Sequence, residues 1–254
     1  MKISKNLFLF IFLLTVIFTC ERQEQNKPNI IYILADDLGY GELGSFGQKE
    51  IETPNLDKLA NDGMIFTDHY SGSPVCAPSR SVLMTGMHTG TTYIRDNSEW
   101  GERGDVWSFK AMLDNPNLEG QRPLPDSIIT VAQILQKNGY KTGMVGKWGL
   151  GAPHTNSIPN KKGFDFFYGY NCQRIAHSYY PTHLWRNEER HFLNNKLVEK
   201  SEDLEPGADI YDSSSYKKYN QNDYAPTLMH EEALNFIDQN KNDKFFLYYA
   251  SLIP

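Results

Sequence analysis

Apolar positions along the chain form three kinds of pattern, and each predicts a different element. Residues 29–35 (NIIYILA) are a continuous β-branched and apolar run, which predicts a strand covered on both faces in a mainly parallel sheet. Helical spacing follows: Leu56, Leu59 and Ala60 share one face of a helix that opens at Thr53-Pro54 and closes at Gly63. Residues 64–67 then predict a short strand. Val131, Ile134 and Leu135 mark a second helix over 130–138, and residues 140–145 the strand after it. A third helix over 226–238 feeds a strand within 244–252 (KFFLYYASL). Helices alternating with apolar strands predict an α/β fold, a mostly parallel central sheet flanked by helices on both faces. Residues 100–126 and 152–215 read as long loops rich in Asn, Gly, Pro and aromatics, a length that in a compact domain carries binding function.

The third pattern lies at the start. Lys2 and Lys5 precede an almost unbroken apolar run, Leu7 to Phe18, too short to cross a bilayer and suited to an export signal. Cys20 follows at once, and residues 21–27 are polar, an order that resembles a bacterial lipoprotein signal. The expected division is a signal peptide over 1–19, a tether over 20–27 that starts at a lipid-bearing Cys20, and one catalytic domain over 28–254. The protein is then exported to the periplasm or cell surface, touching the membrane through its lipid alone. At the other end the chain stops at Pro254, just where a strand of an α/β protein runs into a functional loop, so a domain truncated at its C-terminus is expected.

Composition narrows the function. With 254 residues and 40% of them hydrophobic, the chain can build a sizeable core, which excludes a disordered tail or a disulfide-stapled miniprotein. The 31 acidic residues outnumber the 25 basic ones and no long basic run occurs, which argues against nucleic acid as a partner. Cys20, Cys76 and Cys172 make no disulfide framework.

Two clusters carry candidate chemistry by themselves. Asp36-Asp37 falls at the carboxyl end of the first strand, where open α/β sheets place ligands. Adjacent carboxylates repel unless a hard cation lies between them, and oxygen ligands suit calcium or magnesium; a pair that merely begins a turn is the alternative. Cys76 lies in a Pro-flanked loop entering a helix (SPVCAPSRSVLMTG), a setting for a reactive thiol, with Arg80 one turn on to hold an anion. A buried structural thiol is the alternative there.

Cys76-Ala77-Pro78-Ser79-Arg80 with the downstream Thr85-Gly86 resembles the signature of the type I sulfatases, a family of the alkaline-phosphatase-like superfamily. Residues 139–151 (GYKTGMVGKWGLG) resemble the family's second signature, with Lys147 at its sulfate-binding lysine and Gly149 where a histidine is usual. NIIYILADDLGYG matches a third stretch. The resemblance implies that Asp36 and Asp37 ligate calcium, or magnesium in its place. It also implies that a maturation enzyme oxidises Cys76 to formylglycine, whose hydrated form touches the metal and attacks sulfur. Arg80 then steadies the diol and Lys147 binds sulfate. The family's histidine at position 149 touches the formylglycine hydroxyl, so Gly149 leaves an acid/base role open.

An expelled alkoxide needs a general acid. His177 is the candidate for that role or for a substrate contact. Tyr179, Tyr180, Trp185 and Arg186 in the same loop offer aromatic faces and a cation to a sulfated sugar, and ordinary packing explains the same residues. Arg95, Asp96 and Asn97 are candidate ligands for sugar hydroxyls, whereas His69 and His88 are expected to be structural. The family's remaining metal ligands, a further lysine and a Pro-His stretch fall beyond Pro254, so weak calcium binding and little turnover are expected of these 254 residues. The expected function is hydrolysis of sulfate from a sulfated saccharide or an aryl sulfate. A phosphonate or phosphate ester hydrolase and a non-catalytic glycan-binding lipoprotein are the alternatives.

Overall fold

Six strands among the described residues form one sheet in this computed structural model, which describes residues 27–199 and 204–254. They are β1 (Ile30–Leu34), β2 (Lys141–Lys147), β3 (Phe166–Tyr170), β4 (His183–Arg186), β5 (Glu189–Phe192) and β6 (Phe245–Ala250), in the order β1-β6-β2-β3-β4-β5. The first four of that order run parallel, and β4 and β5 close the far edge as an antiparallel hairpin. The apolar run over 7–18, expected to be an export signal, and Cys20 lie outside the described residues.

Helices cover both faces of the sheet, as the alternating pattern predicts. One face packs on α5 (Ala225–Asn240), whose Met229, Ala233 and Phe236 meet Val145, Tyr168, Phe245 and Leu247. The other packs on α2 (Cys76–Thr85) and α4 (Val131–Lys137), with Ala77, Met84 and Ala132 against Met144, Phe246 and Tyr248. Successive residues of β6 thus enter opposite cores, the two-sided burial that makes such strands read as unbroken apolar runs. Thr130 caps α4 by a full capping box with Gln133.

Several expectations are corrected. β1 is an edge strand, not a covered one: Ile31 and Ile33 are 48% and 59% exposed. The helix α1 (Pro54–Asp62) forms where its caps predict, yet Leu56 and Leu59 face outward and it buries no residue. Residues 64–67 form no strand, and Met64, Ile65 and Phe66 are exposed. Apolar side chains are thus left exposed on β1, on α1 and over residues 64–66. In α4 the inward residue is Ala132, whereas Val131 and Ile134 are exposed. The two long loops are also more ordered than composition suggests: the first holds α3 (Phe109–Asp114), and the second holds β3 and the β4–β5 hairpin. Asn187 turns that hairpin at φ 55°, a left-handed conformation that Asn tolerates.

β2 and its neighbours approach unusually closely. A Cβ built on Gly146 would lie 1.9 Å from the Ala250 carbonyl oxygen, so only glycine fits there. That close spacing sets the carboxyl ends of β1, β6 and β2 side by side, and the candidate site lies at those ends.

Candidate active site

β1 ends at Leu34, and the chain turns outward through Asp36 and Asp37. Asp37 adopts φ 60°, a left-handed backbone uncommon for a residue with a Cβ. α2 begins at Cys76, and its capping position is Val75, which has no side-chain acceptor. Asn97 supplies one instead: its Oδ1 accepts the Ala77 N–H at 2.8 Å. Two turns therefore meet, and one ligand atom from each of Asp36, Asp37 and Cys76 lies within 4.8 Å of the others. A cavity of about 320 Å³ opens there, walled by residues 34–38 and by residues of the 71–80 segment.

Two buried cations support this floor. Arg80 donates through Nη2 to Asp36 Oδ1 at 2.8 Å and through Nη1 to the Lys147 carbonyl at 2.7 Å. The Tyr248 hydroxyl lies 3.4 Å from the same Nη1. Lys147, 1% exposed, donates its ammonium to Asp36 Oδ2 at 2.8 Å. Burial alone would raise the Asp36 carboxyl. The hydrogen bond and charge of Lys147, joined by Arg80, outweigh it and hold the group below the ordinary carboxylate range. The two positive side chains offset the two carboxylates of the site, Asp36 and Asp37, so its floor carries no excess negative charge to repel an anionic ester.

The donor set at the cavity decides what a cation would meet. Two carboxylates are hard oxygen donors suited to calcium or magnesium; a thiol sulfur is soft and is not. An oxygen at position 76 would make the set uniform.

Other expected residues lie elsewhere. His177 ends a short 3-10 turn (Ile175–His177), is exposed, and is not among the residues walling the cavity at Cys76; it lines a separate cleft. Arg186 departs further from expectation. Its guanidinium is paired with Glu232, at 3.1 and 2.5 Å, and stacks on Tyr168, and it shares a cleft with Lys141, Asp165 and Phe166 at the amino ends of β2 and β3, the opposite end of the parallel strands. Trp185 is buried and donates to Glu119 Oε2 at 2.7 Å, so it offers no face to a sugar. Arg95 and Asp96 are spent on local turns, bonding Thr92, Gly90 and Ser98. The carboxamide oxygen of Asn97 serves α2 rather than a ligand. His88 accepts the Gly90 N–H, a turn-forming role, and His69 is exposed with its ring 6.4 Å from that of Phe66.

Sequence reasoning missed a polar cluster behind Lys147. Gly149 has φ +73°, and a Cβ there would fall 1.5 Å from Gln173 Nε2, so the Gln173 carboxamide fills the space a side chain at 149 would need. Gln173 is 2% exposed, and its backbone N–H is held by Gln121 Oε1 at 3.1 Å. Gln121 also donates to Glu99 Oε1 at 2.9 Å, and the Cys172 thiol lies 3.6 Å from Glu99 Oε2. Burial pushes the Glu99 carboxyl up to about 7, although Cys172, Arg174 and Gln121 oppose the rise. No spacing rule joins positions 99, 121, 149 and 173, so only the fold reveals them.

Comparison with known proteins adds independent information. Residues 28–254 match the family model described as Sulfatase. Human arylsulfatase D is 38% identical over 169 residues, covering 63% of this chain and 26% of its own. The arylsulfatase of Hemicentrotus pulcherrimus is 31% identical over 229 residues, 88% of this chain and 36% of its own. Among solved structures, Ps i-CgsB in complex with k-i-k-neocarrahexaose is similar with a TM-score of 0.60 and 29% identity, over 88% of this chain and 45% of that one. The chain thus spans about a third or less of the length of these curated relatives.

Proposed function

This chain belongs to the sulfatase family, and on that premise we propose that it serves to hydrolyse a sulfate ester of a saccharide, with position 76 as nucleophile after its oxidation to formylglycine. The observation that carries the reading is the meeting of Cys76, Asp36 and Asp37 within 4.8 Å, directly over the Arg80 and Lys147 side chains. The donor chemistry supports the oxidation. Converting the CH2–SH of Cys76 to an aldehyde is a two-electron oxidation: carbon gains a carbonyl oxygen, sulfur leaves as hydrogen sulfide, and a maturation enzyme passes the electrons to its oxidant. Hydration then puts two hydroxyls where the soft sulfur was.

Asp36, Asp37 and an oxygen at position 76 would hold the hard cation, calcium or magnesium. Bound there, it supplies Lewis acidity toward the sulfuryl oxygens and favours ionisation of the nucleophilic hydroxyl. The side chains do the rest. Arg80 fixes Asp36 and the first turn of α2, which aims position 76. Arg80 and Lys147 together draw the negatively charged ester onto the floor. One hydroxyl at position 76 attacks sulfur, the S–O bond to the sugar breaks, and the alcohol leaves with a proton. The second hydroxyl then yields its proton, the C=O re-forms, and the C–O bond to sulfate breaks. A serine has no second hydroxyl and could not complete that last step.

The same reading makes the protein an exported lipoprotein held by lipid on Cys20. Peptide mass spectrometry of protein from its native host tests both points. The peptide spanning position 76 should carry an aldehyde or its hydrate, and the mature N-terminus should be a lipid-modified Cys20. An unmodified thiol at 76 would overturn the catalytic reading in favour of glycan binding without turnover. An aldehyde with faster cleavage of phosphonate than sulfate esters would overturn the choice of substrate.

A further inference from the structure

Seven buried side-chain atoms among the described residues have no hydrogen-bond partner, and four of them fall in the turn after β3: Asn171 Oδ1, both ends of the Gln173 carboxamide, and Arg174 Nε. Native structures leave few such atoms, because each gives up its bond to water without a replacement. The Arg174 guanidinium is compensated by the rings of Trp107 and Phe109, at 5.1 and 5.4 Å. Gln173 is the extreme case, 2% exposed and unpartnered at donor and acceptor alike.

Its place is fixed from two sides. The Gln173 N–H is held by Gln121, which in turn donates to Glu99. Glu99 stands two residues after Asn97, whose carboxamide oxygen caps the first turn of the helix that starts at Cys76. From the other side, the Trp148 N–H donates to the Tyr170 carbonyl at 2.9 Å and the Gly149 N–H to that of Asn171 at 3.2 Å, so the turn lies along the residues that follow Lys147. A Cβ on Gly149 would fall 1.5 Å from Gln173 Nε2. The carboxamide thus takes the side-chain position of a residue two beyond Lys147. A reach of about 3.5 Å per residue puts it within roughly 10 Å of the Lys147 Cα, at the carboxyl end of β2 where the site lies.

What it would meet there follows from the charges of the site. Arg80 and Lys147 already donate to Asp36. An entering sulfuryl group brings anionic oxygens that also need donors not spent on carboxylates. A carboxamide N–H is such a donor, and shielded from water its bond to an anion is strong.

We propose that Gln173 is a catalytic residue of this site, its Nε2 donating to a sulfuryl oxygen of the bound ester in the place a side chain at 149 would take. The identity of the anion rests on the sulfatase reading; the contact itself needs no turnover. The test is calorimetric titration of the full chain with sodium sulfate against sodium chloride, in calcium-containing buffer, paired with urea unfolding without sulfate. Gln173→Met keeps length and shape while removing both polar atoms. Because those atoms have no partner at rest, the variant should unfold at a higher urea concentration than wild type. It should nevertheless bind sulfate at least tenfold more weakly, the worth of one hydrogen bond to a charged group. Gln173→Glu, the same shape with a charge of the wrong sign, should bind sulfate more weakly still. A glutamine with a structural role alone predicts the reverse, a lower urea midpoint with sulfate affinity intact. That result, a wild type that binds no sulfate, or a Gln173→Met protein within twofold of wild-type affinity would overturn the proposal. None of these bears on oxidation at position 76, which the peptide mass decides separately.

Discussion

Glu99 gives the sharpest test of how the polar cluster behind Lys147 is built. Its carboxyl is driven from an ordinary value of 4.5 to about 7, with burial the largest cause. Between those two pH values the folded chain retains a proton that the unfolded chain releases, so stability must fall as pH rises through that window and level off above it. At about 1.4 kcal/mol per pH unit, the total loss is about 3 kcal/mol. Glu99→Gln keeps the shape and an acceptor for Gln121 Nε2 while removing the proton. Urea unfolding of both proteins from pH 4.5 to 8.5, followed by circular dichroism, isolates the residue, because other titrating groups are common to the pair. The variant should gain about 3 kcal/mol on wild type between the ends of that range, all of it below pH 8. Parallel curves would mean that water or a rearranged Arg174 solvates the carboxylate, and that the cluster is not closed.

Two further outcomes follow from the same physics. Asp36→Asn leaves Arg80 and Lys147 buried without their anion and should cost about 3 kcal/mol; Lys147→Met in that background should cost at least 1 kcal/mol less than it does alone. Strict additivity in the urea midpoints would show that the ion pairs do not form in solution. At the exposed apolar positions of α1 and the segment after it, Leu59→Gln with Phe66→Ser should change stability by no more than about 0.5 kcal/mol while lowering dye binding and self-association. A large loss of stability would show those side chains packed.

Much of the sheet was legible: two-sided burial makes β6 a continuous apolar run, and β2, which carries a threonine and two glycines, was marked by the helix and the Gly139 stop that precede it. The same run misled at β1, since a strand made to be covered looks identical whether or not a neighbour is present. β3 hid inside a loop because FFYGY is short and carries a glycine, which composition reads as loop. For the site, Asp36, Asp37, Cys76, Arg80 and Lys147 stood out through contiguous motifs. Asn97 stood out only as a candidate ligand for sugar hydroxyls and Gln173 not at all, because their contacts join positions 20 and 24 residues apart through backbone turns that no periodicity records. Arg186 and Trp185 looked like ligand groups for the opposite reason: their partners, Glu232 and Glu119, lie 46 and 66 residues away, so their engagement is invisible in the chain.

Arg80 acts on the mechanics of this molecule as well as on its charge. One guanidinium reaches the turn after β1, the backbone of β2 and the hydroxyl of a β6 tyrosine, so the helix starting at residue 76 cannot slide over the sheet without breaking contacts shielded from water. An incoming molecule therefore meets a stiff anvil: the attacking atom and the carboxylate beside it are located by the same framework of helix and sheet.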